Sequence, residues 1–415
     1  MTIRRRFLLR DSALVAAGAG FLLPGWLARA VAAAAAPPNS GRRKVLVVLF
    51  QRGAMDGLNA VIPFTDPHYY AARPTIAVPA PGKPGGALDL DGRFALHPSL
   101  APLQPLWQRK QLAIIPGTGS PDPTRSHFDA QDYMESGTPG RKSTRDGWLN
   151  RSLSQTTPSS PVSPLRAISL GPRLARTLRG AQPAVAIGRL RDFQLHDHQS
   201  QASLESMYAA ADQEVAATAR DTFAALKLVE AIERRPYTPA AGAAYPTSKF
   251  GQALLQIARL IKSDAGVEVA FADTGGWDTH TNQAQRLPAL LADFAGSMSA
   301  FTSDLGDRFE DVIIVTLSEF GHTLRENGAG GTDHGHASVM FVAGGSSALQ
   351  GGRIHGAWPG LAPEQLFEQR DLAVTTDFRC VLSELVAGHL GVADTRRVFP
   401  GAPADALSAR VGLLG

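Results

Sequence analysis

Two stretches in the C-terminal half of the chain concentrate residue types that can do chemistry. One is Gly276-Trp277-Asp278-Thr279-His280. The other runs Ser318-Glu319-Phe320-Gly321-His322, followed by Gly331-Thr332-Asp333-His334-Gly335-His336. Four of the eleven histidines fall within residues 280–336, so a site is sought there first. Carboxylate oxygens and imidazole nitrogens ligate divalent metals such as Zn²⁺ or Mn²⁺. One or two such ions can activate water or a serine hydroxyl. Asp278 and His280 lie in a glycine-hinged loop, as a ligand pair or as a polar loop with Trp277 packed beneath. Glu319, Asp333, His334 and His336 are further metal-ligand candidates. His336 or His322 could instead donate hydrogen bonds to backbone or to the ligands themselves.

The N-terminal half adds a second set. Asp56, in Gln51-Arg52-Gly53-Ala54-Met55-Asp56-Gly57, is either a ligand or a turn aspartate capping the next segment. Ser126 lies near the N-terminus of a predicted helix, where the dipole and free N–H groups favour an anion or a nascent alkoxide. It is a candidate nucleophile, or simply a residue that starts the helix. His127 next to it could be a ligand, an orienting group or a packed histidine. Arg52 and Arg125 could clamp substrate oxygens bidentately. Asp129, Asp132 and Glu135 fit a solvated helix face. His196-Asp197-His198 lies in a polar stretch and reads as surface.

Elements that could position these residues alternate along the chain. Apolar runs at 44–50, 112–116, 166–170, 184–188, 267–272, 312–317 and 339–343 read as strands. Most are continuous and not alternating, as in parallel strands covered on both faces. Helices are predicted at 99–109, 124–135, 202–232, 247–263, 283–305 and 378–390. The order favours a doubly wound α/β fold, whose sites lie beyond the carboxyl ends of strands. Stretches rich in Pro, Gly and Ser at 79–86, 116–123, 137–147 and 156–164 read as loops. No internal repeat is present, and 44–415 reads as one domain.

The N-terminus reads as an address. Arg4-Arg5-Arg6-Phe7-Leu8, a short apolar stretch and Ala28-Arg29-Ala30 form a twin-arginine signal, with a tether reaching residue 36. The apolar stretch is too short to span a bilayer comfortably. Export by the twin-arginine translocase to the periplasm or beyond is expected, with no transmembrane helix in the mature chain. The chain's net charge is +4, and residues 1–30 alone carry five arginines and one aspartate. The remainder is near neutral, which argues against a nucleic-acid partner. The single cysteine, Cys380, cannot form an intramolecular disulfide, so an ordinary core must supply stability.

These residues also carry a resemblance. The twin-arginine start is followed by L-V-V-L-F-Q-R-G-A-M-D-G-L-N at 46–59, A-L-H-P-S-L at 95–100 and R-S-H-F-D-A-Q-D-Y-M-E at 125–135. Then come G-W-D-T-H at 276–280, L-S-E-F-G-H-T at 317–323, N-G-A-G-G-T-D-H-G at 327–335, T-T-D-F-R at 375–379 and V-F-P-G at 398–401. Together they resemble the exported family known as domain of unknown function number fifteen hundred and one, itself similar in fold to the alkaline-phosphatase and sulfatase superfamily. The resemblance implies a mostly parallel sheet with helices on both faces and a metal site at the strand ends. It implies Asp56, Asp278, His280 and His334 or His336 as ligands, and Ser126 as nucleophile. Glu319 falls where many members have Asp followed by His. Phe320 replaces that histidine, which puts a two-metal site in doubt.

The expectation is a metal-dependent hydrolase acting on a phosphate or sulfate ester or a related anionic substrate, small or polymer-derived. The alternative is a non-catalytic periplasmic binding or assembly protein that keeps the fold. Two other classes are disfavoured. Pro121-Asp122-Pro123-Thr124-Arg125 has proline where a formylglycine sulfatase needs Cys or Ser. No G-x-S-x-G elbow exists for an α/β-hydrolase esterase.

Overall fold

The first strand shows how the fold is built. β1, Val45–Gln51, reads VLVVLFQ and is buried along its whole length. Side chains alternate across a strand, so a continuous apolar run must serve two cores. Val45, Val47 and Leu49 enter one core with Leu254, Ile257, Phe294 and Phe301. Leu46, Val48 and Phe50 enter the other with Trp148, Phe378, Leu382 and Phe399. Helices therefore cover both faces. Lys249–Lys262 and Gln283–Leu305 lie on the first, and Trp148–Leu153 and Phe378–Gly388 on the second.

The computed structural model describes residues 42–156, 162–192 and 213–415. The expected signal and tether, the group His196-Asp197-His198 and the first part of the 202–232 helix lie outside the described residues. From Arg43 onward the described residues form one compact unit. Among them, no helix is long and apolar enough to cross a membrane.

After β1 come β2 Val61–Ile62, β3 Leu88–Asp89 and β4 Ala95–Leu96, which form a small antiparallel sheet of their own in the order β2-β4-β3. The long strands follow: β5 Leu112–Gly119, β6 Ala167–Leu170, β7 Val185–Ile187, β8 Val269–Thr274 and β9 Val312–Leu317. β10 His322–Glu326 and β11 Thr332–His334 pair antiparallel as a separate ribbon. β12 Ser338–Gly344, β13 Arg353–Ile354 and β14 Thr376–Asp377 complete the set. The main sheet runs β13-β5-β12-β9-β1-β8-β6-β7, with β14 also on β5. Every pairing in it is parallel except those of β12, which is antiparallel to β5 and β9. This is the expected mostly parallel, doubly wound α/β sheet.

All seven predicted strands are present within one to three residues at each end, and Gln283–Leu305 has the predicted bounds. One loop expectation is overturned. Residues 116–119 continue β5 because Thr118 pairs with Ser338 of β12 and with Thr376 of β14. Pro116 is tolerated where the β12 register shifts, as proline is at bulges. Gly117 has φ +66°, and a Cβ there would stand 2.5 Å from Thr375 Oγ1, so glycine is required.

The consequence for function is spatial. β1, β5, β8 and β9 deliver residues 52–56, 120–127, 275–280 and 318–319 at their carboxyl ends. β12 runs the other way, so the segment before it, 334–337, reaches the same edge.

Candidate metal centre

The loop after β8 is fixed from below. Trp277 is fully buried, packs edge-on against Phe294 at 6.2 Å and donates Nε1–H to the Thr274 carbonyl. That leaves Asp278 and His280 at the surface of the edge. The loop after β1 comes in beside them. Gly53 has φ +113°, and a Cβ there would lie 2.8 Å from the Asp278 amide nitrogen. Only glycine lets the two loops approach this closely.

Three imidazoles converge on Asp278. His127 Nε2 and His280 Nε2 each lie 2.9 Å from His334 Nε2. Asp278 Oδ1 is 2.9 Å from His280 Nε2 and 3.3 Å from His334 Nε2, and its Oδ2 is 3.6 Å from His127 Nε2. Ligand atoms of His127, Asp278 and His334 all fall within 4.8 Å of one another.

The other ring nitrogens settle the tautomers. His127 Nδ1 donates to Glu319 Oε1 at 2.9 Å, His280 Nδ1 to Asp333 Oδ1 at 3.2 Å, and His334 Nδ1 to the Arg125 carbonyl at 3.0 Å. A carboxylate or carbonyl only accepts, so each Nδ1 carries a hydrogen, and a ring in its neutral form then turns an Nε2 lone pair inward. Lone pairs facing each other at 2.9 Å repel unless a proton or a metal cation lies among them. Two nitrogens bound tetrahedrally to Zn²⁺ at roughly 2.05 Å would stand about 3.3 Å apart, close to the spacing here. An imidazole oriented from behind by a carboxylate or carbonyl is the usual form of a metal-ligating histidine. The donor set therefore fits a divalent cation.

Electrostatics agree with that orientation. The hydrogen bond to Glu319 raises the His127 pKa despite burial. Burial, with positive neighbours, lowers that of His334. The Asn327 and His280 hydrogen bonds keep Asp333 below the usual carboxylate range. Burial raises the Glu319 carboxyl, but the His127 and Gln131 hydrogen bonds outweigh it and hold it low. Its Oε1 accepts from His127, from Gln131 Nε2 at 2.8 Å and from the Gly53 amide at 2.8 Å, while the buried Oε2 has no hydrogen-bond partner.

The remaining expected site residues sit elsewhere or act at one remove. Asp56 is not gathered into the cluster. Arg73 Nη1 and Nη2 bind its two oxygens at 2.7 and 3.0 Å, Gln283 Nε2 donates at 2.5 Å, and the carboxylate caps the helix Gly57–Ala60. Both side chains of this pair are buried, and no lone pair is left for a metal. Burial raises the Asp56 pKa, and Arg73 more than reverses this. Glu319 and Asp333 reach the cluster only through His127 and His280. His336 is turned away. Its Nε2 donates to the Ser120 carbonyl at 3.1 Å and its ring packs on Phe367 at 4.2 Å, because the chain turns at Gly335 toward β12.

Arg52 is not free to clamp a substrate, being bound to Asp273, Gln131 and Glu135 at 2.5, 3.0 and 2.9 Å. Arg125 is held by Asp371 and Glu368, both at 2.6 Å. Ser126 is exposed and caps the helix His127–Ser136, its Oγ accepting weakly from the Asp129 amide at 3.5 Å. Phe320 is buried against the rings of His127 and His334 at 4.9 and 5.1 Å, so the residue that replaces an expected imidazole forms a wall of the centre.

Sequence reasoning assigns no role to Arg73, Thr279 or Gln283. Arg73 lies 17 residues from Asp56, and Gln283 lies 227. No local pattern marks either.

A comparison with curated proteins gives no match. Among solved structures, the chain is similar to the PsFucS1 sulfatase from Pseudoalteromonas sp., at 12% identity, covering 94% of this chain and 77% of that one with a TM-score of 0.40. It is also similar to a protein in the alkaline phosphatase superfamily from Vibrio parahaemolyticus, at 11% identity, covering 76% and 62% with a TM-score of 0.34. Likenesses this distant carry no argument about chemistry, which rests on the side chains above. The family described as "Protein of unknown function (DUF1501)" matches residues 43–400, nearly the whole of the described fold, and the chain belongs to it.

Proposed function

We propose that the protein is an exported, metal-dependent hydrolase acting on a phosphate or sulfate ester or a related anionic substrate. The observation that carries this reading is the convergence of His127, His280 and His334 on Asp278, with each imidazole oriented from behind. His127, Asp278, His280 and His334 would hold the ion, Zn²⁺ or Mn²⁺. Such an ion supplies charge that stabilises an anionic transition state and lowers the pKa of a hydroxyl nucleophile.

The chain's own residues do the rest. Glu319, Asp333 and the Arg125 carbonyl hold the rings in place. Ser126 is the nucleophile of this reading. Its hydroxyl is exposed and lies one residue from His127, at the start of a ten-residue helix whose first-turn N–H groups favour a developing anion. Phe320 keeps water off one side. Export rests on the twin-arginine start.

The second reading is a binding or assembly protein in which the centre is purely structural. It is favoured by Arg52 and Arg125, both already bound by carboxylates, and by the lack of a hydrogen-bonded base on Ser126 among the described residues. Hydrolysis of phosphate- and sulfate-ester panels by the wild type and Ser126→Ala separates the two. Activity lost in Ser126→Ala, with metal content unchanged, supports the hydrolase. Activity that is equal in both refutes Ser126 as nucleophile.

A further inference from the structure

A buried relay runs from Asp56 to an imidazole that the centre described above does not use. Arg73 keeps Asp56 ionised, so Asp56 Oδ2 can only accept, and Gln283 must present its Nε2–H to it at 2.5 Å. That fixes the Gln283 amide, whose Oε1 then accepts from Thr279 Oγ1 at 3.0 Å and from Thr332 Oγ1 at 2.7 Å. The single Thr332 hydroxyl hydrogen is spent there. Thr332 Oγ1 must therefore accept from His322 Nδ1, 2.6 Å away. His322 is thus the Nδ1–H tautomer, with a lone pair on Nε2. Asp56, Arg73, Thr279, Gln283 and Thr332 are all fully buried, and His322 is 2% exposed.

Nothing satisfies that lone pair. His322 Nε2 is buried and has no hydrogen-bond partner among the described residues, a condition that disfavours an isolated polar atom. Its position points to the centre. His322 and His334 are directly paired across the β10–β11 ribbon, so both side chains leave the same face. The His322 ring lies 5.9 Å from that of His280 and 6.4 Å from that of His334. Nε2 lies across the ring from Nδ1, and therefore away from Gln283 and Thr332.

We propose that His322 is a further imidazole ligand of the metal centre, held in its ligating tautomer by the Asp56–Gln283–Thr332 relay. The proposal rests on the metal-binding reading above and extends it. Asp56 would then influence the ion through three intervening residues, Gln283, Thr332 and His322, without touching it.

The test uses the full chain with Zn²⁺ and Co²⁺ as probes. Chelator competition should show His322→Gln weakening Zn²⁺ binding by about 10-fold or more, with Thr332→Val weakening it less. The visible spectrum of the Co²⁺ form should change in His322→Gln. In the wild type, ¹⁵N spectra of labelled histidines should show the His322 Nε2 resonance moving on Zn²⁺ addition, a readout that survives if a variant fails to fold. Unchanged affinity and Co²⁺ spectrum in His322→Gln, with metal lost in His334→Ala, would overturn the proposal and leave the centre standing. A wild type that binds neither ion would overturn both.

Discussion

Replacing Arg73 with Met removes the cation paired with buried Asp56. The guanidinium makes two hydrogen bonds to Asp56, one to Asn59 Oδ1 at 2.6 Å, and one each to the Thr323 and Leu324 carbonyls at 2.9 Å. Both members of the pair are out of solvent. Breaking such a pair from one side costs about 3–5 kcal/mol, because a charge is left buried without its partner. Arg73→Met should lower the free energy of urea unfolding by that amount at about pH 7.5. The pH dependence has a defined sign. In the wild type the Asp56 pKa lies below its ordinary value. Its contribution is thus present above the unfolded pKa and is lost only as pH falls through the folded one. In Arg73→Met the largest opposition to burial is gone, only the Gln283 and helix-cap hydrogen bonds remain, and the folded pKa rises above its wild-type value. The penalty is then full at neutral pH and shrinks as the carboxyl takes up a proton. The gap between wild type and variant should therefore narrow on acidification to about pH 5. Adding Asp56→Asn to Arg73→Met should recover part of the loss. A loss under about 1 kcal/mol, or a gap that widens on acidification, would refute the assignment of Asp56 as a counter-ion rather than a ligand.

Other outcomes follow from the same geometry. Glu319→Gln should weaken metal binding by about 10- to 100-fold in chelator competition, since it loosens the His127 ring, while far-ultraviolet circular dichroism stays unchanged. Gly53→Ala places a methyl group against the Asp278 backbone at φ +113°. It should cost at least about 1 kcal/mol in thermal or urea unfolding and reduce metal affinity with it.

The sheet was legible because its strands are buried on both faces. Val45–Gln51, Val312–Leu317 and Ser338–Gly344 have nothing but long apolar runs to show, and burial on both sides demands that pattern. The β10–β11 ribbon was not legible. His322–Glu326 and Thr332–His334 are polar and short, and they form a ribbon because Gly321 and Gly335 let the backbones approach. Asp278 and His280 stand out as two ligand types in a glycine-hinged loop after a strand, with a polar loop over Trp277 as the alternative; Trp277 is packed beneath it. Asp56 reads equally as a ligand or as a capping aspartate because the two look alike in sequence; here it caps the helix Gly57–Ala60 and pairs with Arg73. What separates them is Arg73, which pairs with it only in three dimensions. Glu319 and Asp333, expected as ligands, each meet the cluster through one imidazole, a distinction of one hydrogen bond that residue types do not carry. His322 was noted only as a possible hydrogen-bond donor, because its lone pair is set by Thr332 and Gln283 from two other elements.

Metal content per chain tests the central claim most directly. The full chain, expressed with its own N-terminal sequence and purified without chelators, is subjected to elemental analysis beside Asp278→Ala. The account predicts about one equivalent of Zn or Mn in the wild type, or two if a second ion shares the ligands, and loss of metal in the variant. No metal in the wild type, or equal metal in both proteins, would contradict it.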